Sequence, residues 1–180
     1  PVPTNALLSE SGDFVFLSTG EVIDVRNPSL PELVEKTNLG ESWVAAAAVG
    51  DKLFTVNADG LQIFDVQDLA LTGIDTDFQD RKYTADFSID GSGSPSAARN
   101  IAVVGDRVYV ADGAAGFTVI DVSDLDASDI ASPVINPVKV STLEIDSDVV
   151  HVAVAGQRAY VGTADNNLRI VDITDPTAME

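Results

Sequence analysis

The chain is written in short apolar runs separated by small polar turns built from glycine, aspartate and asparagine. Runs such as Arg107 to Ala111 and Phe117 to Val122 are apolar on both faces rather than alternating with period two. A strand of that kind needs cover on both sides. The long segments between the runs hold no amphipathic helical stretch, and Ser123 to Ile130 has room for one short turn only. These positions predict an all-β chain whose sheets pack face to face.

The runs recur in register, which sets the architecture. A glycine with an aromatic residue four positions later marks each unit: Gly12 with Phe16, Gly50 with Phe54, Gly105 with Tyr109 and Gly156 with Tyr160. A second block follows as Val22 to Val25, Ile63 to Val66, Val119 to Val122 and Ile170 to Ile173, with Asp24, Asp65, Asp121 or Asp172 as its third residue. Three residues past each acid comes Asn27, Asp68, Asp124 or Asp175. A further apolar run precedes the later glycines, as Ala46 to Val49, Ile101 to Val104 and Val152 to Ala155, while the first copy, Leu7 to Glu10, is degenerate.

Three runs joined by Gly-Asp, Asp-Gly or Asn-Asn turns read as a meander of antiparallel strands. A fourth strand is expected at Pro31 to Thr37, within Leu69 to Ile89, and at Val134 to Leu143, with the last unit ending before its own. Four-stranded blades arranged as a β-propeller cover both faces of every sheet and leave short edges, which suits the pattern better than a two-layer sandwich. The approximate blades are 1–38, 39–95, 96–146 and 147–180, the last incomplete. Four is fewer than such propellers usually have, so the expectation is part of a larger propeller, completed by remaining blades of the same chain. Pro1 and Pro3 make the N-terminal segment a poor closing strand except at an edge.

Composition narrows the partners. At 180 residues with 45% hydrophobic content, the chain has enough apolar material for one folded domain despite a formal charge of -19. Such acidity repels phosphate backbones and anionic bilayers, so nucleic acid is excluded as a partner on electrostatic grounds. No apolar run approaches the length needed to span a bilayer, so no membrane insertion is expected within this chain. With no cysteine, disulfides, thiolate metal sites and a cysteine nucleophile are absent together.

The blocks Val119 to Asp124 and Ile170 to Pro176, preceded by Tyr109 to Asp112 and Tyr160 to Gly162, resemble the LVIVD-repeat family. The likeness covers nearly the whole chain, best in the last two units. It implies a β-propeller of bacterial and archaeal surface or secreted proteins, and hence an extracellular or cell-surface location. It carries over no catalytic residue.

Candidate chemistry is sparse. Asp24, Asp65, Asp121 and Asp172 each end an apolar run just before a turn, where a carboxylate accepts backbone N–H groups and fixes the bend. They are read as structural, because a catalytic role would require one copy to differ from its siblings. In a propeller the first strand of each blade faces the central channel, and its start places Trp43, Arg99, Asn100 and His151 at the channel mouth as candidate ligand contacts. His151 is the one histidine, so a histidine-rich metal site is excluded. Asp75, Asp77 and Asp80 offer the oxygen ligands calcium takes, without the glycine and distal glutamate of an EF-hand loop. A solvated acidic loop is the favoured reading there, with calcium the one candidate cofactor. No nucleophile elbow or phosphate-cradling loop is present, and Gly91 to Ser94 reads as linker. Two functions follow: a non-catalytic scaffold or module binding a protein or glycan, or a propeller enzyme, hydrolase or lactonase-like, with its site at the channel mouth.

Overall fold

A computed structural model of the chain describes residues 8–11, 14–17, 21–36, 43–50, 52–57, 60–66, 97–124 and 137–180. Strands β1 (Leu8–Ser11), β2 (Phe14–Leu17), β3 (Glu21–Asp24) and β4 (Glu32–Lys36) form a first sheet in chain order. Next come β5 (Ala45–Val49), β6 (Lys52–Asn57) and β7 (Gly60–Asp65), then β8 (Asn100–Val104), β9 (Arg107–Ala111), β10 (Phe117–Asp121) and β11 (Val138–Leu143). The fourth sheet holds β12 (Val149–Ala155), β13 (Arg158–Thr163) and β14 (Leu168–Asp172). All pairings are antiparallel, and no helix occurs among the described residues. There is accordingly none long and apolar enough to cross a membrane.

The expected four strands per blade are present in the first and third sheets. In the second, the segment expected to supply the outer strand lies outside the described residues. The fourth sheet has three strands, and there the Asp172 N–H donates to the Glu180 carbonyl at 2.9 Å, where the third sheet pairs Asp121 with Val138.

Three of the anchor glycines, Gly50, Gly105 and Gly156, lie in the turns between first and second strands, flanked by the pairs Val49–Lys52, Val104–Arg107 and Ala155–Arg158. Gly50, Gly105 and Gly156 sit at φ of 57°, 57° and 60°, a left-handed conformation that glycine adopts without steric cost. The repeat extends even to irregularities: the outer pairing slips between Val22 and Ile23 in the first sheet and between Val119 and Ile120 in the third. Bulges at one repeated position twist both blades alike.

The first strands lie side by side, β1 against β5, β5 against β8 and β8 against β12, so the sheets splay from a common inner edge as propeller blades do. An apolar cluster fills each gap between successive sheets. Phe14, Phe16 and Val22 meet Trp43, Leu53 and Phe64 in the first. Phe54, Leu61 and Ile63 meet Ile101, Val108 and Ile120 in the second. In the third, Tyr109, Phe117 and Val119 meet Val152, Val161 and Val171. Strands that are apolar on both faces are thus explained, since each sheet contributes to the gap on either side. Tyr109 and Phe117 stack within the third gap, with ring centroids 6.1 Å apart. Each fully buried phenylalanine in these gaps is worth about 1.5–3 kcal/mol relative to exposure.

Candidate functional site at the first-strand ends

Each unit has two ends. One carries the glycine turn and the acid of the second block; the other carries the start of the first strand and the turn between second and third strands.

At the glycine end the repeated acids hold their own backbone. Asp24 Oδ1 accepts the Arg26 N–H at 2.9 Å, Asp121 Oδ1 that of Ser123 at 2.8 Å, and Asp172 Oδ1 that of Thr174 at 2.8 Å. The same device recurs three residues on, where Asp175 Oδ1 accepts the Thr177 N–H at 2.9 Å and Asn27 Oδ1 that of Ser29 at 3.2 Å. Hydrogen bonds from the Arg26 side chain and N–H hold the Asp24 carboxyl below its ordinary range, aided by the guanidinium charge. The side chain and N–H of Ser123 do the same for Asp121, and those of Thr174 for Asp172. Arg26 also lies over the Phe14 ring, 5.8 Å from its centroid. Asp65 closes β7 opposite Lys52. Between the third and fourth sheets this end opens a groove of about 400 Å³ lined by Asp106, Arg107, Asp121, Gln157 and Thr174.

At the other end the structure brings together three of the four candidate contacts. Arg99 is exposed, and its N–H donates to the Ala111 carbonyl at 2.7 Å, just ahead of β8. Asn100 opens β8, half-buried, with Oδ1 accepting the Val152 N–H of the neighbouring blade at 3.0 Å. His151 is exposed on β12, next to that same Val152. A register shift between Val149 and His151 bends the strand here, and Gly162 opposite leaves room for the imidazole stem. A Cβ placed on Gly162 would sit 3.4 Å from His151 Cβ. Arg99, just ahead of β8, and His151, on the neighbouring β12, are thus both exposed, with a guanidinium and an imidazole suited to hydrogen-bonding a polar or anionic group.

Trp43 lies elsewhere. It is 4% exposed, packed with Phe16, Leu53 and Phe64, and its Nε1 has no hydrogen-bond partner among the described residues. Ala98 and Val149, also seven residues before a glycine, are equally buried, so this repeat position is a packing position. Asp75, Asp77 and Asp80 fall outside the described residues. Among the described residues, no group of three or more histidine, aspartate or glutamate side chains is placed to hold a metal.

Sequence reasoning passed over one repeated polar position. Asn57, Asp112 and Thr163 each stand seven residues after a glycine, at the end of an apolar second strand, and are 3%, 1% and 4% exposed. Asn57 Oδ1 accepts the Gly60 N–H at 3.2 Å, and the Thr163 hydroxyl donates to the Asn167 carbonyl at 3.1 Å. Both bonds close the hairpin into the third strand. The signal was present as three hydrogen-bonding residues in identical register, but changing residue type concealed it.

The LVIVD repeat family matches residues 8–38, 95–135 and 147–180. No curated protein matches the sequence. Among solved structures, the computationally designed Ika8 protein is similar at a TM-score of 0.60, with 15% identity over 96% of this chain and 46% of that one. The β-propeller domain of Cps50 (Swd1) from Myceliophteria thermophila gives 0.61, with 14% identity over 90% of this chain and 54% of that one. BamB from Moraxella catarrhalis gives 0.53, with 12% identity over 91% of this chain and 41% of that one. The chain spans about half the length of these three structures, and at such identities the likeness is one of fold.

Proposed function

The chain belongs to the LVIVD repeat family, and from that premise we propose that it is a non-catalytic propeller scaffold of the cell surface or extracellular medium, binding a protein or glycan through the end that carries Arg99 and His151. One observation carries this reading. The repeated polar side chains are committed to their own backbone, as in the Asp24, Asp121, Asp172 and Asp175 turns, whereas Arg99 and His151 are exposed at repeat positions where the second unit carries the apolar Val44 and Ala45. Residues that break a structural repeat at its exposed end are where a shared scaffold acquires an individual partner. The surface location is supported by the family resemblance and by a charge of -19, which favours solubility. Calcium bound by Asp75, Asp77 and Asp80 is part of the same proposal.

The test is binding of the wild type and of an Arg99→Ala/His151→Ala double variant to arrays of glycans and of surface proteins. A partner that the wild type retains and the double variant loses at least tenfold, with unchanged thermal unfolding, supports the reading. Equal binding by both removes this end as the docking surface. Hydrolysis of lactone or ester substrates that disappears in His151→Ala would replace the scaffold with a propeller enzyme.

A further inference from the structure

The groove between the third and fourth sheets, at the glycine end, lies where the repeat departs from its own pattern. Three residues after the glycine, Leu53 packs into the first gap, Val108 into the second and Ala159 into the third. A methyl group in place of a branched side chain leaves the mouth of the third gap underfilled, and the hollow of about 400 Å³ opens there. One residue after the glycine, the Asp13, Asp51 and Asp106 of the first three units give way to Gln157. Four residues after it, Phe16 and Phe54 give way to Tyr109. Gln157 and Tyr109 both line the hollow, so an amide and a phenol hydroxyl enter it at positions that hold a carboxylate and a plain ring in earlier units. A second hollow of about 430 Å³, bounded by Lys139 and Val140 of β11, shares Asp121 and Ser123 with the first. The two run together as one groove along the outer strands of the third sheet.

We propose that this groove binds a neutral oligosaccharide, one sugar unit against Tyr109 and Gln157 and the next beyond Asp121. Sugar hydroxyls both donate and accept hydrogen bonds, and the lining answers both: Asp106 and Asp121 accept, Arg107 donates, and Gln157 and Thr174 do either. Val104 and Ile173 add apolar surface for the C–H face of a pyranose ring. Two adjoining hollows, each within the about 300–1,000 Å³ of small-molecule sites or near it, suit linked rings better than one compact ligand. The charges select against acidic ligands. Hydrogen bonds from Ser123 and from Thr177 hold the Asp121 and Asp175 carboxyls below their ordinary range, and the Arg107 charge acts on both, so that guanidinium is already balanced by the two units it stands between. An anion brought to the groove would also meet the chain's charge of -19. The site lies at the opposite end of the blades from Arg99 and His151, so it is additional to the docking end proposed above and does not depend on it.

Titration of the isotope-labelled full chain, followed by its amide NMR signals, tests this. The probes are maltotetraose, cellotetraose, xylotetraose, mannotetraose and chitotetraose, with tetragalacturonate as the acidic counterpart. At least one neutral probe is expected to shift the amides of Ser123, Gln157 and Thr174 saturably while those of Arg99 and His151 stay in place. Tyr109→Phe and Gln157→Asp each restore the residue that earlier units carry; combined, they should weaken binding about tenfold, as for one or two lost hydrogen bonds, with an unchanged melting temperature. Ala159→Leu, which restores the second unit's side chain and fills the hollow, should give a similar loss, and Gln157→Asp, at an exposed position, serves alone should Ala159→Leu fail to fold. No saturable shift with any neutral probe up to its solubility overturns the proposal. So do shifts that survive the Tyr109→Phe/Gln157→Asp double variant, shifts centred on Arg99 and His151, or tighter binding of tetragalacturonate.

Discussion

Asn100 and Val152 join two blades: the Asn100 side-chain oxygen accepts the Val152 N–H at 3.0 Å, across the gap between β8 and β12. β12 is the inner edge strand of its sheet, and an edge N–H directed away from its own ladder needs a partner. The neighbouring blade supplies it, and Gly113 strengthens the seam by exchanging two backbone bonds with Val149, at 3.1 and 2.9 Å.

Removing that acceptor is expected to loosen the seam without unfolding either blade. Asn100→Ala should lower stability by about 1–3 kcal/mol, the cost of leaving a largely buried N–H unpaired. Asn100→Asp, which keeps the oxygen, should retain most of it. Urea unfolding gives the magnitude, and faster hydrogen exchange at the Val152 amide locates it.

Two glycines of similar appearance should respond differently. Gly105 has φ of 57° with open space around a would-be Cβ, whereas Gly116 has φ of 107° and a Cβ there would meet the Leu143 carbonyl oxygen at 2.3 Å. Gly105→Ala carries backbone strain alone, about 1 kcal/mol. Gly116→Ala must also push β11 away and is expected to cost about 2–4 kcal/mol, strain and displaced packing together. Thermal melts of the two variants side by side decide the ordering.

The turn acids predict a pH dependence. Hydrogen bonds lower the folded pKa of Asp121 and Asp172 from the ordinary 3.8, so each contributes stability that is present above 3.8 and lost as pH falls through the lower folded value. Asp121→Asn keeps an acceptor for Ser123 but cannot titrate. Its melting temperature should therefore track the wild type near neutrality and fall less steeply below pH 4, as a pH series of melts on both proteins would show.

Equivalent positions in adjacent blades should differ in weight. Phe117 is 0% exposed in the third gap, and Phe117→Ala should cost about 3–5 kcal/mol. Leu168 is its counterpart at 66% exposed, and Leu168→Ala should stay within about 0.5 kcal/mol. Trp43, the single tryptophan, is 4% exposed and reports either loss as a red shift of its emission on unfolding.

The repeat, the three strands of each unit, the glycine turns and the covered faces were legible in the order of residues. These follow from local rules: left-handed turns need glycine, and strands apolar on both sides need neighbours on both sides. Tertiary structure alone decided what became of the residues at the first-strand starts. Asn100 and His151 occupy the same place in a linear alignment and Trp43 lies two positions earlier, yet Trp43 is buried between blades, Asn100 bonds across a seam and His151 faces solvent. Burial and cross-blade bonding depend on which sheet lies alongside. The same reason separates Val119 from Ile170, alike in sequence and opposite in exposure, because only one of them has a following blade against it.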